Sequence, residues 1–219
     1  MQFEIFDLGL VDFKKAWDFQ KQAFEAVRNN YFVAALILCQ HYPVITLGRS
    51  ADRKNILASE TTLNRQGIKV FEIERGGDVT YHGPGQITVY PVFNLEYLRK
   101  DIHWFLRQLE EVAIDLLSDF GIEGKRVAGL TGVWVDNQKI ASIGIAVRNW
   151  ITFHGLTINI KKSDLRNFGL IRPCGLDIEM ISLEEISGKE IEMIAVKERL
   201  IKKLKSAFLA PQESLAAIN

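Results

Sequence analysis

The stretch at residues 75–86 reads RGGDVTYHGPGQ. Four glycines and one proline in twelve residues disfavour a regular helix or a central strand, because glycine adds backbone entropy and proline removes a hydrogen-bond donor. Apolar runs typical of strands flank it at residues 68–73 and 87–93. The stretch also carries four side chains that could hold a ligand: Arg75, Tyr81, His82 and Gln86. A glycine-rich segment presented by strands lets a ligand approach the backbone, so we predict a binding loop here, with an ordinary strand connection as the alternative.

Composition limits the partners and the compartment. The chain has 219 residues, and its 27 Lys and Arg residues balance 27 Asp and Glu residues, so no net charge favours nucleic acid or an anionic membrane. No linker or repeat divides it, which predicts one domain over residues 1–219. The chain begins without a leader-like segment, and no uncharged stretch reaches the roughly 20 residues that span a bilayer. We therefore expect a soluble cytoplasmic protein.

The first half of the chain alternates strands and helices. Asp12 and Asp101 each precede a run with apolar residues at helical spacing, and both are good N-caps. Ser59 is the expected cap of a short helix that ends at Gly67. The runs that read as strands are residues 2–8, 32–40, 44–47, 68–73 and 87–93. The pattern predicts a mixed α/β fold.

From residue 130 onward the apolar pattern has period two, which predicts an antiparallel meander of strands at 130–135, 139–147 and 150–160. Lys139 begins the otherwise apolar face of the middle strand, so its amine either reaches water or is desolvated with a depressed pKa. His154-Gly155 interrupts the third strand, and a glycine there marks a bulge or a close approach of backbone or ligand. An amphipathic helix closes the chain.

The two cysteines, Cys39 and Cys174, are too few for a disulfide scaffold and lack metal-ligand spacing. Cys39 ends an apolar run, where burial keeps a thiol protonated and inert. Cys174 lies between proline and glycine in a connection with nearby cations, a setting in which a thiol can be exposed and thiolate-like, although many loop cysteines have no role. We expect His41 to be structural, while Arg49 could face the same cavity as the glycine-rich loop.

Five blocks of sequence resemble one family closely. They are HYPVITLGR at residues 41–49, RGGDVTYHGPGQ at 75–86, KIASIG at 139–144, the residues Trp150, His154, Gly155 and Asn159 of one strand, and PCG at 173–175. In this order they resemble the lipoyl(octanoyl) transferases, which start lipoate assembly on protein lysines. MISL at residues 180–183 departs from the family, which usually carries a threonine before Ser-Leu, and we expect only a packing difference.

The resemblance implies an α/β fold like that of the biotin and lipoate protein ligases, with mixed and antiparallel sheets flanked by helices around an acyl tunnel. It implies that Cys174 takes octanoyl from octanoyl-acyl carrier protein as an acyl-enzyme, and that Lys139 lowers the pKa of this cysteine. The family's substrate-binding segments correspond to Arg75, Gly76, Gly77, Asp78, Val79, Thr80, Tyr81, His82, Ser142, Ile143, Gly144, Gly155, Leu156 and Thr157. Arg49 and His154 are expected to support them.

The implied acceptors are lysines of lipoyl domains in 2-oxoacid dehydrogenase complexes and of the glycine cleavage H protein. No cofactor or metal is implied, and no nucleic acid or membrane. Because the donor thioester is already activated, no nucleotide is required, and a neutral Lys139 could accept the proton of the thiol. We also expect Lys161, Lys162, Arg166 and Arg172 to help dock the acidic carrier protein.

Three alternatives stay open. A lipoate or biotin ligase would use the same fold and a lysine like Lys139, but it would need ATP and would not need Cys174. An amidotransferase that moves octanoyl between protein lysines would use a cysteine, although we expect its loop context to differ. A non-catalytic acyl-protein binding module would need neither residue.

Overall fold

The computed structural model of the chain describes residues 3–175 and 177–209, apart from the side chains of Asp164 and Cys174. The strands are β1 (Phe3–Val11), β2 (Ala34–His41), β3 (Val44–Leu47), β4 (Lys69–Glu72), β5 (Val79–His82), β6 (Gln86–Phe93), β7 (Lys125–Val127), β8 (Leu130–Val135), β9 (Gln138–Arg148) and β10 (Ile151–Asn159). The α-helices are α1 (Phe13–Arg28), α2 (Glu60–Arg65), α3 (Ile102–Ser118), α4 (Leu183–Ser187) and α5 (Met193–Leu209). Among the described residues, no helix combines the length and the apolar character needed to cross a bilayer.

The strands form two mixed sheets. The larger sheet has seven strands in the order β1-β2-β6-β10-β9-β8-β7, and the smaller has three in the order β4-β3-β5. Among the described strands, the pairs β1–β2 and β3–β4 are parallel and the other pairs are antiparallel. The predicted mixed α/β architecture is therefore confirmed, and β8, β9 and β10 form the predicted meander.

Helices cover both faces of the larger sheet. Strand β2 is buried along nearly its whole length, so its side chains alternate between two apolar cores. Leu36 and Leu38 pack in the core that contains α3 and α5, whereas Ile37 and Cys39 pack in the core that contains α1. The sheet is thus the central layer of the molecule.

Short polar side chains set the helix starts. The carboxylate of Asp12 accepts from the backbone N–H of Lys14 at 2.9 Å, and the carboxylate of Asp101 accepts from that of Trp104 at 2.9 Å. Ser59 caps α2 by accepting from Thr62 N–H. These bonds satisfy N–H groups that have no partner inside the helix, as the sequence predicted.

The small sheet packs against the long connection that follows β10. Tyr81, Phe168 and Ile171 share a core with the apolar side chains of β3. The connection contains two 3-10 segments, Lys162–Leu170 and Pro173–Gly175. This packing brings the second segment beside the glycine-rich stretch.

The expectation of a loop throughout residues 75–86 was wrong in its middle, because Val79–His82 forms β5. The glycines and the proline lie at the two ends of the stretch, which leaves four residues rich in β-formers between them. In the described order β4-β3-β5, strand β5 pairs with β3 and is an end strand of the small sheet. A glycine-rich stretch argues against a central strand, but it does not exclude a short strand at the edge of a sheet.

Candidate active site

A cavity of about 580 Å³ lies between the glycine-rich stretch and strands β9 and β10. Its walls bring together residues that are far apart in sequence, including most of those expected at a binding site. The expected residues that line it are Arg75, Gly76, Gly77, Asp78, Val79, Thr80, His82, Lys139, Ser142, Ile143, Gly144, His154, Gly155 and Thr157.

Three other expected residues lie elsewhere. Tyr81 is buried in the core of the small sheet, where its hydroxyl accepts from Asn167 Nδ2 at 2.7 Å. Leu156 belongs to the core beneath α3 and α5. The side chain of Arg49 is exposed, and its backbone N–H donates to Arg75 O at 2.9 Å.

The expected nucleophile, Cys174, has a side chain that lies outside the described residues. Its backbone belongs to the 3-10 segment Pro173–Gly175, and Pro173 lines the cavity. The segment is anchored by Arg172 N–H, which donates to Asn55 O at 2.7 Å. The described backbone therefore brings position 174 next to the cavity wall.

Close backbone contacts hold the glycine-rich stretch on the edge of β9. Gly76 N–H donates to Ile145 O at 2.8 Å. A Cβ on Gly144 would lie 2.9 Å from Gly76 O and 3.0 Å from Arg75 Cδ, so this approach requires glycine at position 144. The missing side chain explains why a glycine follows Ile143 in the middle of a strand.

Arg75 fixes the same stretch to the small sheet. Its guanidinium is buried and donates through Nη2 to Thr46 O at 2.7 Å and to Thr46 Oγ1 at 2.9 Å. Nη1 donates to Gly76 O at 3.1 Å. A permanent positive charge is thereby held in the cavity wall.

Lys139 is buried, with 6% of its surface exposed, which decides against the alternative of an amine that reaches water. Its ammonium nitrogen lies 4.9 Å from the centre of the Trp134 ring. The side chain passes over Gly132, where an added Cβ would lie only 2.6 Å from Lys139 Cε. Gly132 has φ +130°, so glycine is needed there for both space and backbone conformation.

Hydrogen bonds fix Lys139 and its surroundings on two sides. Its backbone N–H donates to Glu179 O at 2.8 Å, and its carbonyl accepts from Ile181 N–H at 3.0 Å. The buried carboxylate of Glu110 accepts from Gly132 N–H at 3.1 Å and is itself paired with arginines. These bonds fix the backbone at Lys139 and at Gly132, the glycine over which the lysine side chain passes.

Histidines occupy another part of the site. His82 lines the cavity with its Nδ1 3.3 Å from Thr157 Oγ1, and its ring centre lies 5.7 Å from that of His41. His41 Nδ1 faces the carbonyl of Val11 at 3.3 Å, so it carries the proton, and Nε2 accepts from Tyr90 Oη at 2.7 Å. This cluster supports the expectation of a structural His41.

Burial keeps these imidazoles neutral. Loss of hydration lowers the pKa of His41 to about 4 and holds the pKa of His82 well below its ordinary value. It likewise raises the pKa of the Tyr90 hydroxyl. The cluster therefore offers neutral donors and acceptors to the cavity at neutral pH.

His154 has an unusual backbone in the middle of β10. Its φ is 57°, which is strained for a residue with a side chain, and its N–H donates to Gln20 Oε1 at 2.9 Å. Its Nε2 lies 3.3 Å from Glu74 Oε2, and this hydrogen bond lowers the pKa of Glu74 to about 2. Burial lowers the pKa of His154 although Glu74 acts in the opposite direction.

Of the two cysteines, only Cys39 has a side chain within the described part of the structure, and it is buried as expected. Cys39 is fully buried beside His41, with Sγ 3.4 Å from Nε2, and burial raises the pKa of its thiol. A protonated thiol in the core is a poor nucleophile. Within residues 3–175 and 177–209, no group of three or more His, Cys, Asp or Glu residues could hold a metal ion.

The four basic residues expected to dock a carrier protein have different surroundings. Lys161 Nζ lies 2.8 Å from Glu184 Oε1, and Arg172 Nε lies 3.0 Å from Asp177 Oδ1. Lys162 and Arg166 are exposed. The docking role stays a prediction.

Sequence reasoning missed the residues that reach the cavity from other elements. They include Phe13 of α1, Ile73, Tyr90 of β6, Ile102 and Leu106 of α3, and Leu130 and Thr131 of β8. Ile102 is 40% exposed, unusually open for an apolar residue at a helix start, but this cannot be read from sequence alone.

The chain is similar in sequence and in fold to known proteins. The chain is 45% identical to the octanoyltransferase of Caldicellulosiruptor saccharolyticus over 205 residues, which cover 92% of this chain and 87% of the relative. The bipartite lipoate protein ligase of Thermoplasma acidophilum has a similar structure, with a TM-score of 0.72 at 15% identity over 94% of this chain and 84% of that chain. The biotin protein ligase of Aquifex aeolicus has a TM-score of 0.56 at 13% identity over 93% of this chain and 69% of that chain.

These likenesses confirm the predicted fold, and a family model settles the relationship. The model for the lipoyl protein ligase A/B catalytic domain matches residues 12–205. The chain therefore belongs to the lipoyl protein ligase A/B catalytic domain family.

Proposed function

We propose that this enzyme transfers an octanoyl group from octanoyl-acyl carrier protein to a lysine of a lipoyl domain, through a thioester on Cys174. The observation that carries the proposal is the buried Lys139 amine on the wall of a cavity that Pro173, next to Cys174, also lines. The octanoyltransferase relative supports the acyl group. The cavity of about 580 Å³ falls within the roughly 300–1,000 Å³ usual for small-molecule sites.

The first step begins at the thiol. A neutral Lys139 takes the proton of Cys174, and the thiolate attacks the donor's carbonyl carbon. The bond between that carbon and the donor sulfur breaks, and the departing sulfur takes the proton back from Lys139. The octanoyl group is then held as a thioester on Cys174.

The second step releases the product. The amine of the acceptor lysine attacks the carbonyl carbon, the bond to Cys174 Sγ breaks, and the proton lost by the amine restores the thiol through Lys139. A thioester is more reactive than the amide formed, so neither ATP nor a metal enters the balance. Octanoyl cargo is apolar, in keeping with the Ile143 and Leu106 side chains of the cavity.

The acceptors we propose are lipoyl domains of 2-oxoacid dehydrogenase complexes and the glycine cleavage H protein. The lipoate protein ligase of T. acidophilum, similar in fold, belongs to a lipoylation system that includes its E2 lipoyl domain, which supports an acceptor of this class. We also keep the prediction of a cytoplasmic location.

A ligase is the second candidate, because the biotin protein ligase of A. aeolicus, similar in fold, was solved with ATP. The test offers the enzyme a lipoyl domain with either octanoyl-acyl carrier protein alone or free octanoate and ATP. We expect modification of the domain in the first mixture and none in the second. Modification only in the second mixture would reassign the protein as a ligase.

A further inference from the structure

A second cavity of about 550 Å³ meets the first at the Pro173–Gly175 segment, because Pro173 lines both. Its wall includes Met180, whose neighbours Glu179 and Ile181 hold the backbone of Lys139. The two cavities therefore share Pro173, the residue before Cys174, and the second cavity is also lined by the segment that holds the backbone of Lys139. The proposed first step uses the Lys139 amine on the wall of the first cavity and leaves the second cavity without an occupant.

A thioester has two arms that leave its carbonyl group in different directions. If the acyl arm fills the first cavity while the carbonyl carbon lies at Cys174, the arm attached to sulfur must leave by another route. We propose that the second cavity binds the 4′-phosphopantetheine arm of the donor. This inference rests on the function proposed above and adds a binding site for the other half of the substrate.

The lining suits an arm that is partly apolar and ends in a phosphate. Leu57, 53% exposed, and Met180 present apolar surface for its hydrocarbon part. Arg166 and Arg172 are exposed and line the same cavity, and guanidinium groups bind phosphate through paired N–H donors. These features favour an anionic arm.

Two carboxylates also line the cavity, and each has a partner. Asp177 Oδ1 accepts from Arg172 Nε at 3.0 Å, and Glu179 Oε2 accepts from Gln138 Nε2 at 3.1 Å. The bond to Asp177 uses Nε of Arg172, which is one of five N–H donors on a guanidinium, the other four being on the terminal nitrogens. The acceptor lysine is a cation, which the two arginines would disfavour.

The test compares two small donors, octanoyl-4′-phosphopantetheine and octanoyl-pantetheine, which differ only in the phosphate. Neither contains a carrier protein, so protein docking does not contribute. Rates of acyl-enzyme formation are measured by intact mass for the wild type, the double variant Arg166→Ala/Arg172→Ala, and Arg148→Ala, an exposed control at the far end of β9.

We expect the wild type and Arg148→Ala to favour the phosphorylated donor by about 10- to 100-fold in kcat/KM, mostly through KM. The double variant should lose this preference while keeping its rate with octanoyl-pantetheine. That retained rate also reports that the variant is folded.

Equal rates with both donors in the wild type would overturn the inference, as would a double variant that keeps the preference. A double variant with normal acylation but slow transfer to a lipoyl domain would assign the cavity to the acceptor instead. If the wild type is not acylated by either small donor and is not acylated by octanoyl-acyl carrier protein, the proposed function and this inference are both overturned.

Discussion

At the scale of single residues, Gly132, Trp134 and Glu110 shape the surroundings of the Lys139 side chain. Gly132 leaves room beneath it, Trp134 lies beside it, and Glu110 holds Gly132 in place. A buried neutral amine can act as a base. Once protonated, the resulting ammonium ion stabilises a nearby thiolate. Both states are used in the proposed reaction.

We predict that Lys139→Ala slows acylation by roughly 10²–10⁴-fold near neutral pH, the usual effect of losing a general acid–base group. Part of the rate should return as pH rises, because the thiol then ionises unaided. Stopped acylation reactions analysed by mass over a range of pH measure this. Lys15→Ala, on an exposed position of α1, is the control. A normal rate for Lys139→Ala across neutral pH would contradict the role given to the amine.

The sequence predicted part of this environment. The alternation of apolar residues along β9 predicted that Lys139 lies on an apolar face. The structure shows that the side chain is buried and not exposed to water. The contact between Glu110 and Gly132 could not be predicted, because 22 residues separate them and neither has a local signal for the other. The same holds for His41 and Tyr90, which are 49 residues apart.

At the scale of elements, Gly155 decides how closely β10 and β6 approach. An added Cβ would collide with Val89 O and lie 2.6 Å from Pro91 Cδ. Of the two alternatives for this glycine, a bulge or a close approach, the close approach is what the structure shows. Pairing of β10 with β6 begins at the next residue, Leu156.

We predict that Gly155→Ala destabilises the protein by about 1–3 kcal/mol, as expected when a packed interior must accommodate an extra methyl group. Gly169→Ala is the matched control, because nothing lies within 4 Å of the position of its added Cβ. The free energy of unfolding of both variants and of the wild type is measured by urea denaturation. Equal stability of the two would show that β10 can shift at little cost.

The longer elements followed from periodicity and caps, whereas two of the short elements, β7 and α4, were not predicted. The sequence predicted α1, α3, α5 and the meander, whose apolar patterns are long enough to be distinctive. Strand β7 has three residues and helix α4 has five, too few for a pattern. Helix α4 could have been found from its capping box, in which Ser182 and Glu185 bond each other's backbone.

At the scale of the whole molecule, buried histidines make stability depend on pH. The pKa of His41 is about 4 in the folded protein and about 6.5 in the unfolded chain. Between these values the unfolded chain binds the extra proton, so stability is complete above pH 6.5 and is lost as pH falls toward 4. His82 and His154, whose pKa values are also lowered, act in the same direction.

We predict that unfolding free energy decreases by about 3 kcal/mol or more from pH 7 to pH 4, through His41 and its neighbours. Urea unfolding at a series of pH values measures the slope. His41→Asn should reduce the slope of unfolding free energy against pH, whereas His103→Asn, at an exposed position, should leave that slope unchanged. A wild-type slope unchanged by His41→Asn would contradict the assignment to His41. The pKa of Glu74 is about 2 in the folded protein and 4.5 ordinarily, so below pH 4.5 the unfolded chain binds a proton that the folded protein does not, and stability should fall further as pH falls toward 2.

The cavity is a property of the whole molecule, which limits what a sequence alone can predict. The chain returns to it from α1, the glycine-rich stretch, α3, β9, β10 and the Pro173–Gly175 segment. Periodicity predicts elements but not which of them meet, so the glycine-rich stretch was predicted as a binding segment without its opposite wall. The family resemblance predicted Ser142, Gly144 and Thr157 as residues of that opposite wall. It did not predict Phe13 or Leu106, which also line the cavity.

The central claim is that octanoyl is carried by Cys174, and the two thiols of the chain allow a direct test. Intact mass is measured after mixing octanoyl-acyl carrier protein with the wild type, Cys39→Ala and Cys174→Ala. Because burial raises the pKa of Cys39, that thiol should not react. We predict one octanoyl adduct on the wild type and on Cys39→Ala and none on Cys174→Ala, whereas an adduct that persists on Cys174→Ala would contradict the account.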